Sequence, residues 1–446
     1  MFQRAALLEL QKWSEKSDRK PLILRGARQV GKTTLVDVFG KGFDTYLYVN
    51  LEIAQASNLF EIYDDIEELL EKIFFYCNKP RQKGRVLLFI DEIQNSPKAV
   101  AQLRYFYEQI PELYVIAAGS LLENMIDRKI SFPVGRVEFM PIRPCNFTEF
   151  LGAIEEENIK ELIQSTSMSD VIHQRAISLF NTYTLIGGMP AVIKEYAASH
   201  DIIALNSIYE SLLASYADDV EKYARNQTLT NVIRFILSAG YTMAAEAITM
   251  TGFAGSTYKA REISEAFRTL EKAMLLELAY PVTSTTIPLV AQQRRAPKLL
   301  WLDTGLVNFA AGIQTEVFGQ KDILDAWRGL IAEHIVAQEL LAANKSLLYK
   351  RHFWINPQVG TTSEIDFVIQ FRNYVIPIEV KSGTNSKLKS LHVYMDKVPH
   401  HTAIRVWSST FGIDKVTTTE GKEFNLVNIP FYYVGQLDSI LSKLEI

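Results

Sequence analysis

The chain has 446 residues, 48% of them hydrophobic and 22% charged, and a formal net charge of −4. That length and apolar content predict roughly two to four globular domains with real cores. The slight acidity excludes polyanion binding driven by overall charge and leaves room for a local basic patch.

Apolar runs fall short of the roughly 18 residues of a membrane span, and Met1-Phe2-Gln3-Arg4 leads straight into an amphipathic pattern. Cys77 and Cys145 lack metal-ligand spacing and make no disulfide framework, so a cytoplasmic protein with reduced core thiols is expected. In chain order, Pro21-Leu22-Ile23-Leu24 reads as a short buried strand, and the helical spacing of Thr33 to Phe39 ends near Gly40. Between them Gly26-x-x-x-x-Gly31-Lys32-Thr33 fits the phosphate-loop pattern. Backbone N–H groups wrap phosphates, the lysine reaches the β/γ oxygens and the hydroxyl holds Mg²⁺ at a helix N-terminus. Gly26, Gly31, Lys32, Thr33 and Thr34 are the candidate ATP-binding residues.

Tyr46 to Asn50 reads as a second strand, and Arg85 to Asp91 as a third that ends in acid. Asp91 is the candidate Mg²⁺ partner of Thr33, and Glu92 the group that orients or deprotonates the attacking water. A further strand, Leu113 to Ala118, ends in Gly119-Ser120, which makes Ser120 a candidate γ-phosphate sensor. Gly135-Arg136-Val137 offers a guanidinium for transition-state charge, in its own subunit or a neighbour's; the alternative is a surface arginine. Strands interleaved with helices predict a parallel sheet over residues 1–154.

Residues 155–225 are helical in pattern, broken at Gly187-Gly188-Met189-Pro190, and are expected to form a lid beside the nucleotide. Residues 226–312 read as helix (Asn231 to Ala239), short helix (Ala244 to Met250), turn, long helix (Ser256 to Leu276) and a hairpin between Thr283 and Lys298, the order of a winged helix. Lys259, Arg261, Arg268 and Lys272 would lie on its recognition helix and Arg294, Arg295 and Lys298 on its wing. Eight Lys/Arg against six Asp/Glu in this segment permit DNA contact without demanding it, and a structural arm is the other reading.

In residues 313–446, a helix from Asp325 to Ala342 sets Glu333 within its apolar arc, where a carboxylate needs a metal or a cation. Two strands flank Arg372-Asn373, and a tight turn there sets Asp366 opposite Glu379. Glu379 and Lys381 share one face, as do Glu364 and Asp366. A glutamate on a helix, an acid and then E-x-K resembles the metal site of PD-(D/E)xK nucleases, with Ile365 where the name-giving proline would stand. Glu333, Asp366 and Glu379 would bind Mg²⁺ or Mn²⁺, and Lys381 would orient water. A polar hairpin with a Glu364–Lys381 salt bridge is the structural alternative.

Together, G-A-R-Q-V-G-K-T, L-F-I-D-E-I-Q, A-A-G-S, G-R-V before P-I-R-P-C-N-F-T-E-F, G-G-M-P and W-L-D-T-G-L resemble the prokaryotic AAA-type ATPases that carry a C-terminal domain of uncharacterised function. The resemblance implies a fold: an α/β parallel-sheet P-loop (AAA-like) ATPase domain, a helical and winged-helix middle, and an α/β restriction-endonuclease-like C-terminal domain. It also implies ATP use. The expected function is Mg²⁺-dependent ATP hydrolysis that controls the C-terminal half, acting on DNA. The alternative is an ATP-driven switch with an inactive nuclease-like domain and a protein partner or a second copy of itself.

Overall fold

The computed structural model describes residues 2–119, 133–166, 169–313, 329–358, 360, 362–381 and 388–444. Among these, the parallel strands β1 (Leu22–Arg25), β2 (Thr45–Asn50), β3 (Val86–Asp91), β4 (Tyr114–Gly119) and β5 (Glu138–Pro141) form one sheet in the order β2-β3-β4-β1-β5. Alternation along the strands divides their side chains between two cores. Leu22, Leu24, Leu87, Phe89 and Ile116 face α1 (Ala5–Ser14) and α2 (Lys32–Gly40). Ile23, Leu88, Ile90, Val115 and Ala117 face α3 (Ala54–Ile62), α4 (Ile66–Tyr76) and α5 (Pro97–Gln109). Burial on both faces is why these strands read as continuous apolar runs.

The expected helical stretch follows as α6 (Phe147–Ala153), α7 (Glu157–Ser165), α8 (Asp170–Ile186), α9 (Pro190–Ser199) and α10 (Asn206–Tyr223). Asn146 and Glu149 cap α6 reciprocally, and the α8–α9 break falls at Gly187, whose φ of +72° suits glycine.

In the middle segment, α11 (Gln227–Ala239) and α12 (Ala260–Lys272) correspond to the first and third expected helices, the latter shorter at both ends. The expected helix from Ala244 to Met250 is absent. Ala245 N–H donates to Leu299 O at 2.7 Å and Ile248 N–H to Pro297 O at 2.9 Å, so this stretch turns at Ala245 and then runs beside β8, with Ala247 bridged to Lys298. Its short apolar pattern suits either state, and strand pairing decides it. The hairpin arms also differ from expectation. β6 (Leu276–Ala279) pairs antiparallel with β8 (Lys298–Trp301), because their leucines and Trp301 are buried and Thr283 to Pro297 offers no such face. Between them β7 (Pro281–Val282) leaves to join the next sheet, so residues 226–312 are not a self-contained unit.

That sheet is seven-stranded among the described residues. After α13 (Thr304–Ala310) and α14 (Leu330–Ala343) come β9 (His352–Ile355), β10 (Glu364–Phe371), β11 (Tyr374–Val380), α15 (Lys389–Met395), β12 (Thr402–Trp407), β13 (Gly412–Thr417) and β14 (Glu423–Pro430). The order is β13-β14-β12-β11-β10-β9-β7. α14 packs on one face, against Ile376 and Ile378, and α15 on the other, against Val375 and Ala403.

Candidate functional site

The turn from β1 into α2 is built around backbone. A Cβ on Gly26 would lie 2.3 Å from Ile142 O, and Gly31 has φ +89° just before Lys32 opens the helix. Only glycine fits both positions. Lys32 Nζ donates to Gly26 O at 3.0 Å and to Ala27 O at 2.8 Å, holding the ammonium inside the loop it closes. Burial lowers its pKa to about 8, against the pull of Glu92 and Asp91.

Thr33 Oγ1 donates to Asp91 Oδ2 at 2.7 Å, joining the first turn of α2 to the end of β3. Two hard oxygen donors side by side fit a Mg²⁺ ion. Burial raises Asp91, while the Thr33 hydrogen bond opposes the rise. Glu92 follows in the left-handed region at φ +52°, an uncommon place for a side-chain-bearing residue. It accepts a short hydrogen bond from Gln94 Nε2, and burial raises its pKa above the ordinary carboxylate value.

A cavity of about 730 Å³ lies over this floor, lined by Lys32, Thr33, Thr34 and Glu92 and by Arg4, Pro190 and Lys194. Sequence reasoning missed the last three. Arg4 gave no motif signal, yet it donates to Val30 O in the loop at 3.2 Å and to Arg143 O at 2.7 Å, and it pairs with Glu149 at 3.0 Å. The helical segment also touches the loop directly. Arg28 pairs with Asp219 on α10 at 2.5 Å, and Tyr216 donates to Arg28 O at 3.2 Å. Arg136 does not line the cavity; it lies 43% exposed and paired with Glu108 at 3.0 Å. Ser120 lies outside the described residues.

The second constellation gathers on the seven-stranded sheet. Phe367 pairs with Ile378 and Phe371 with Tyr374, the register expected from a two-residue turn at Arg372-Asn373. Asp366 Oδ2 accepts from Val380 N–H at 2.7 Å, and Lys381 Nζ meets Glu379 Oε1 at 2.6 Å. The Glu364–Lys381 bridge of the structural alternative is absent. Instead Glu364 lies 2.7 Å from Lys298 Nζ, and Glu333 lies 2.8 Å from the same nitrogen.

Lys298 was expected on an exposed wing; it is buried at the start of β8, while Arg294 and Arg295 are exposed. Glu333 has thus found a cation, and that cation belongs to the chain. Burial would suppress the Lys298 charge, but Glu333, Asp366 and Glu364 outweigh it and raise its pKa. Burial and then Asp366 push Glu333 and Glu379 each up to about 7. Glu379 Oε2 is buried without a hydrogen-bond partner. Among the described residues, no three His, Cys, Asp or Glu side chains converge as a metal cluster.

α14 is also not amphipathic as expected. It is buried almost all round between the sheet and the central helices, with Glu333 at a partly exposed position. Its most enclosed acid is Glu339, unforeseen from the sequence. It accepts from Phe147 N–H at 3.1 Å and from the Tyr183 hydroxyl at 2.7 Å, and burial lifts it to about 7.

Comparison with known proteins fits this geometry. Residues 18–151 match the AAA domain family, residues 177–317 a domain of unknown function, DUF8612, and residues 328–428 another, DUF4143. No curated protein matches the sequence. Among solved structures, the chain is similar to the Walker-type ATPase of Pyrococcus abyssi at 13% identity, over 70% of this chain and 96% of that one, with a TM-score of 0.42. It is also similar to the RuvB Holliday junction branch migration motor of Thermotoga maritima, at 14% identity over 62% and 90% of the two chains and a TM-score of 0.28. AMPPCP-bound DnaA from Aquifex aeolicus matches at 15% identity over 60% and 88%, also with a TM-score of 0.28. No helix among the described residues is long and apolar enough to cross a membrane. The match to the AAA domain family over residues 18–151 thus falls on the part of the chain that carries the phosphate loop, the acidic strand end and the parallel sheet.

Proposed function

We propose that the chain is a Mg²⁺-dependent ATPase whose nucleotide state controls a winged-helix and nuclease-like C-terminal half that acts on DNA. One observation carries the ATPase part: Lys32, Thr33 and Glu92 meet in one cavity, with Asp91 hydrogen-bonded to Thr33. Lys32 would leave its two carbonyl partners for the β/γ phosphates, and Thr33 and Asp91 would hold Mg²⁺. Bound there, the ion would supply charge for the phosphate oxygens. Glu92 would take the proton of the attacking water once Gln94 releases it. Arg28, Asp219 and Tyr216 would carry the state of the loop into the helical lid. Arg136, half-buried, paired with Glu108 and outside the cavity lining, would suit a role towards a neighbouring copy. The units are read as 1–154 ATPase core, 155–225 lid, 226–312 winged helix and 313–446 nuclease-like domain, with β7 reaching across the last boundary.

The nuclease-like part is supported by the hairpin that brings Asp366 to Val380 N–H beside Glu379 and Lys381. A second reading, a switch with an idle nuclease-like domain and a protein partner, is favoured by Lys298, whose ammonium already answers Glu333 and Glu364. One experiment tests both. ATP hydrolysis and cleavage of plasmid, single-stranded DNA and RNA are measured with Mg²⁺ or Mn²⁺. Lys32→Ala should abolish nucleotide binding, and Glu92→Gln should bind ATP and lose turnover. Asp366→Ala should lose cleavage with ATP hydrolysis near parental. Parental ATPase in Glu92→Gln would overturn the first reading, and intact nucleic acid throughout would leave the switch.

A further inference from the structure

Sharing no lining residue with the nucleotide cavity, a second cavity of about 420 Å³ opens where the N-terminal sheet, the middle segment and the C-terminal sheet meet. Its walls are cationic on all three sides. Arg25 ends β1, Arg143 follows β5, Arg268 and Lys272 end α12, and Lys350 and Arg351 precede β9. The acids in the lining are Glu271 and Glu277, and both are engaged. Glu277 pairs with Arg351 at 3.1 Å and accepts its N–H at 2.8 Å; Glu271 faces Lys350 at 3.5 Å and accepts Leu278 N–H at 3.0 Å.

Two of the arginines keep an orphaned donor, although Arg351 also donates to Ala337 O at 3.0 Å and pairs with Glu277. Arg143 Nε and Arg351 Nε are buried without hydrogen-bond acceptors, and Arg351 is 3% exposed. Burial and then the like charge of Arg351 pull Arg143 down to about 10, with Glu277 opposing the fall and Arg25 adding to it. Folding does not gather mutually repelling guanidiniums with orphaned donors for stability's sake; an anion is the partner that would resolve both costs.

Guanidinium forks are shaped for phosphate, which they bind through paired hydrogen bonds. The rest of the floor, from Leu276, Leu300, Trp301 and Leu341, is apolar. The volume falls in the range of small-molecule sites. A concave seam between three units lacks the continuous exposed stripe on which a nucleic-acid backbone would run.

We infer that this cavity is a second ligand site, for a small phosphorylated molecule of nucleoside monophosphate size.

The test uses full-length Lys32→Ala protein, so that the P-loop does not compete, titrated with AMP and with pyrophosphate by calorimetry and thermal shift. AMP should bind, and adding Arg143→Met should weaken it at least tenfold. Without ligand, Arg143→Met should melt no lower than its parent, since it removes a repelled charge and orphans no acid. Arg268→Gln, at the exposed rim, is the second variant and should weaken binding with the fold intact. No heat or thermal shift from either probe would overturn the inference, as would affinity unchanged in both variants. So would an oligonucleotide that binds through Arg143 where AMP and pyrophosphate do not.

Discussion

Lys32 shows how far one residue's environment sets the chemistry. Its pKa falls from the ordinary 10.5 to about 8 because burial penalises the ammonium more than Glu92 and Asp91 support it. The charged form is the costly one. Below about pH 8 the folded protein carries that whole cost, which fades as pH climbs towards the unfolded value. ATP brings counter-charge, so Lys32 should be protonated in the complex, and wherever it is neutral beforehand binding must take up a proton. Affinity for ATP should therefore decline above about pH 8, approaching tenfold per pH unit. Calorimetry in buffers of different ionisation enthalpy checks this; an affinity flat from about pH 7.5 to 9.5 with no proton uptake would mean Lys32 stays charged throughout. Lys32, Thr33, Asp91 and Glu92, which the fold brings together around one cavity floor, stand out in the sequence by spacing. Arg4 and Lys194 are silent there, since any chain offers many arginines and lysines and only the fold brings these two over the loop.

Between elements, the motifs with no evident chemistry turn out to be joints. Gly187 and Gly188, between α8 and α9, meet Cys145 before α6 and Asp303 before α13. A Cβ on Gly188 would lie 2.1 Å from Cys145 O, and one on Gly305 2.1 Å from Ile186 O. Asp303 accepts Gly188 N–H at 2.5 Å and Leu306 N–H at 3.1 Å, and Cys145 N–H donates to Gly188 O at 2.7 Å. Gly188→Ala should therefore cost about 2–4 kcal/mol in chemical denaturation, as steric insertion between fixed backbones does; a loss under about 0.5 kcal/mol would show that the joint can open. This joint explains what was readable and what was not. The β10–β11 hairpin is visible in the sequence because its turn is local and its alternation strict. The stretch from Ala244 to Ile248 is not, because its conformation is decided by β8, some fifty residues on. α14 misleads for a related reason: helical periodicity assumes a solvent face, and this helix has almost none.

Across the whole molecule, Lys298 ties the middle segment to the C-terminal sheet. Its side chain is 6% exposed and Glu333's is 20%, so that pair is a buried one; the Glu364 arm, 39% exposed, adds little. Lys298→Met keeps the shape and removes the cation beside Glu333. Because Glu333 already titrates at about 7 it can take up a proton instead, so the cost should be small at pH 7 and grow by up to about 1.4 kcal/mol per pH unit above it. Lys298→Met with Glu333→Gln should recover most of that, because the loss comes from an unpaired charge and not from missing contacts. If the double variant is as unstable as the single, packing is the cause. The same pair of proteins reports on the C-terminal site. With its ammonium gone, Lys298→Met leaves Glu333 and Asp366 repelling one another beside Glu379, and a divalent ion becomes the remaining way to balance them. Mn²⁺ should then raise the melting temperature of Lys298→Met more than that of the parent, in proportion to how tightly it binds the folded state. Equal shifts in both would mean that metal and lysine do not compete, and would favour the nuclease reading. A shift confined to the variant would mark Lys298 as the resident cation and favour the switch.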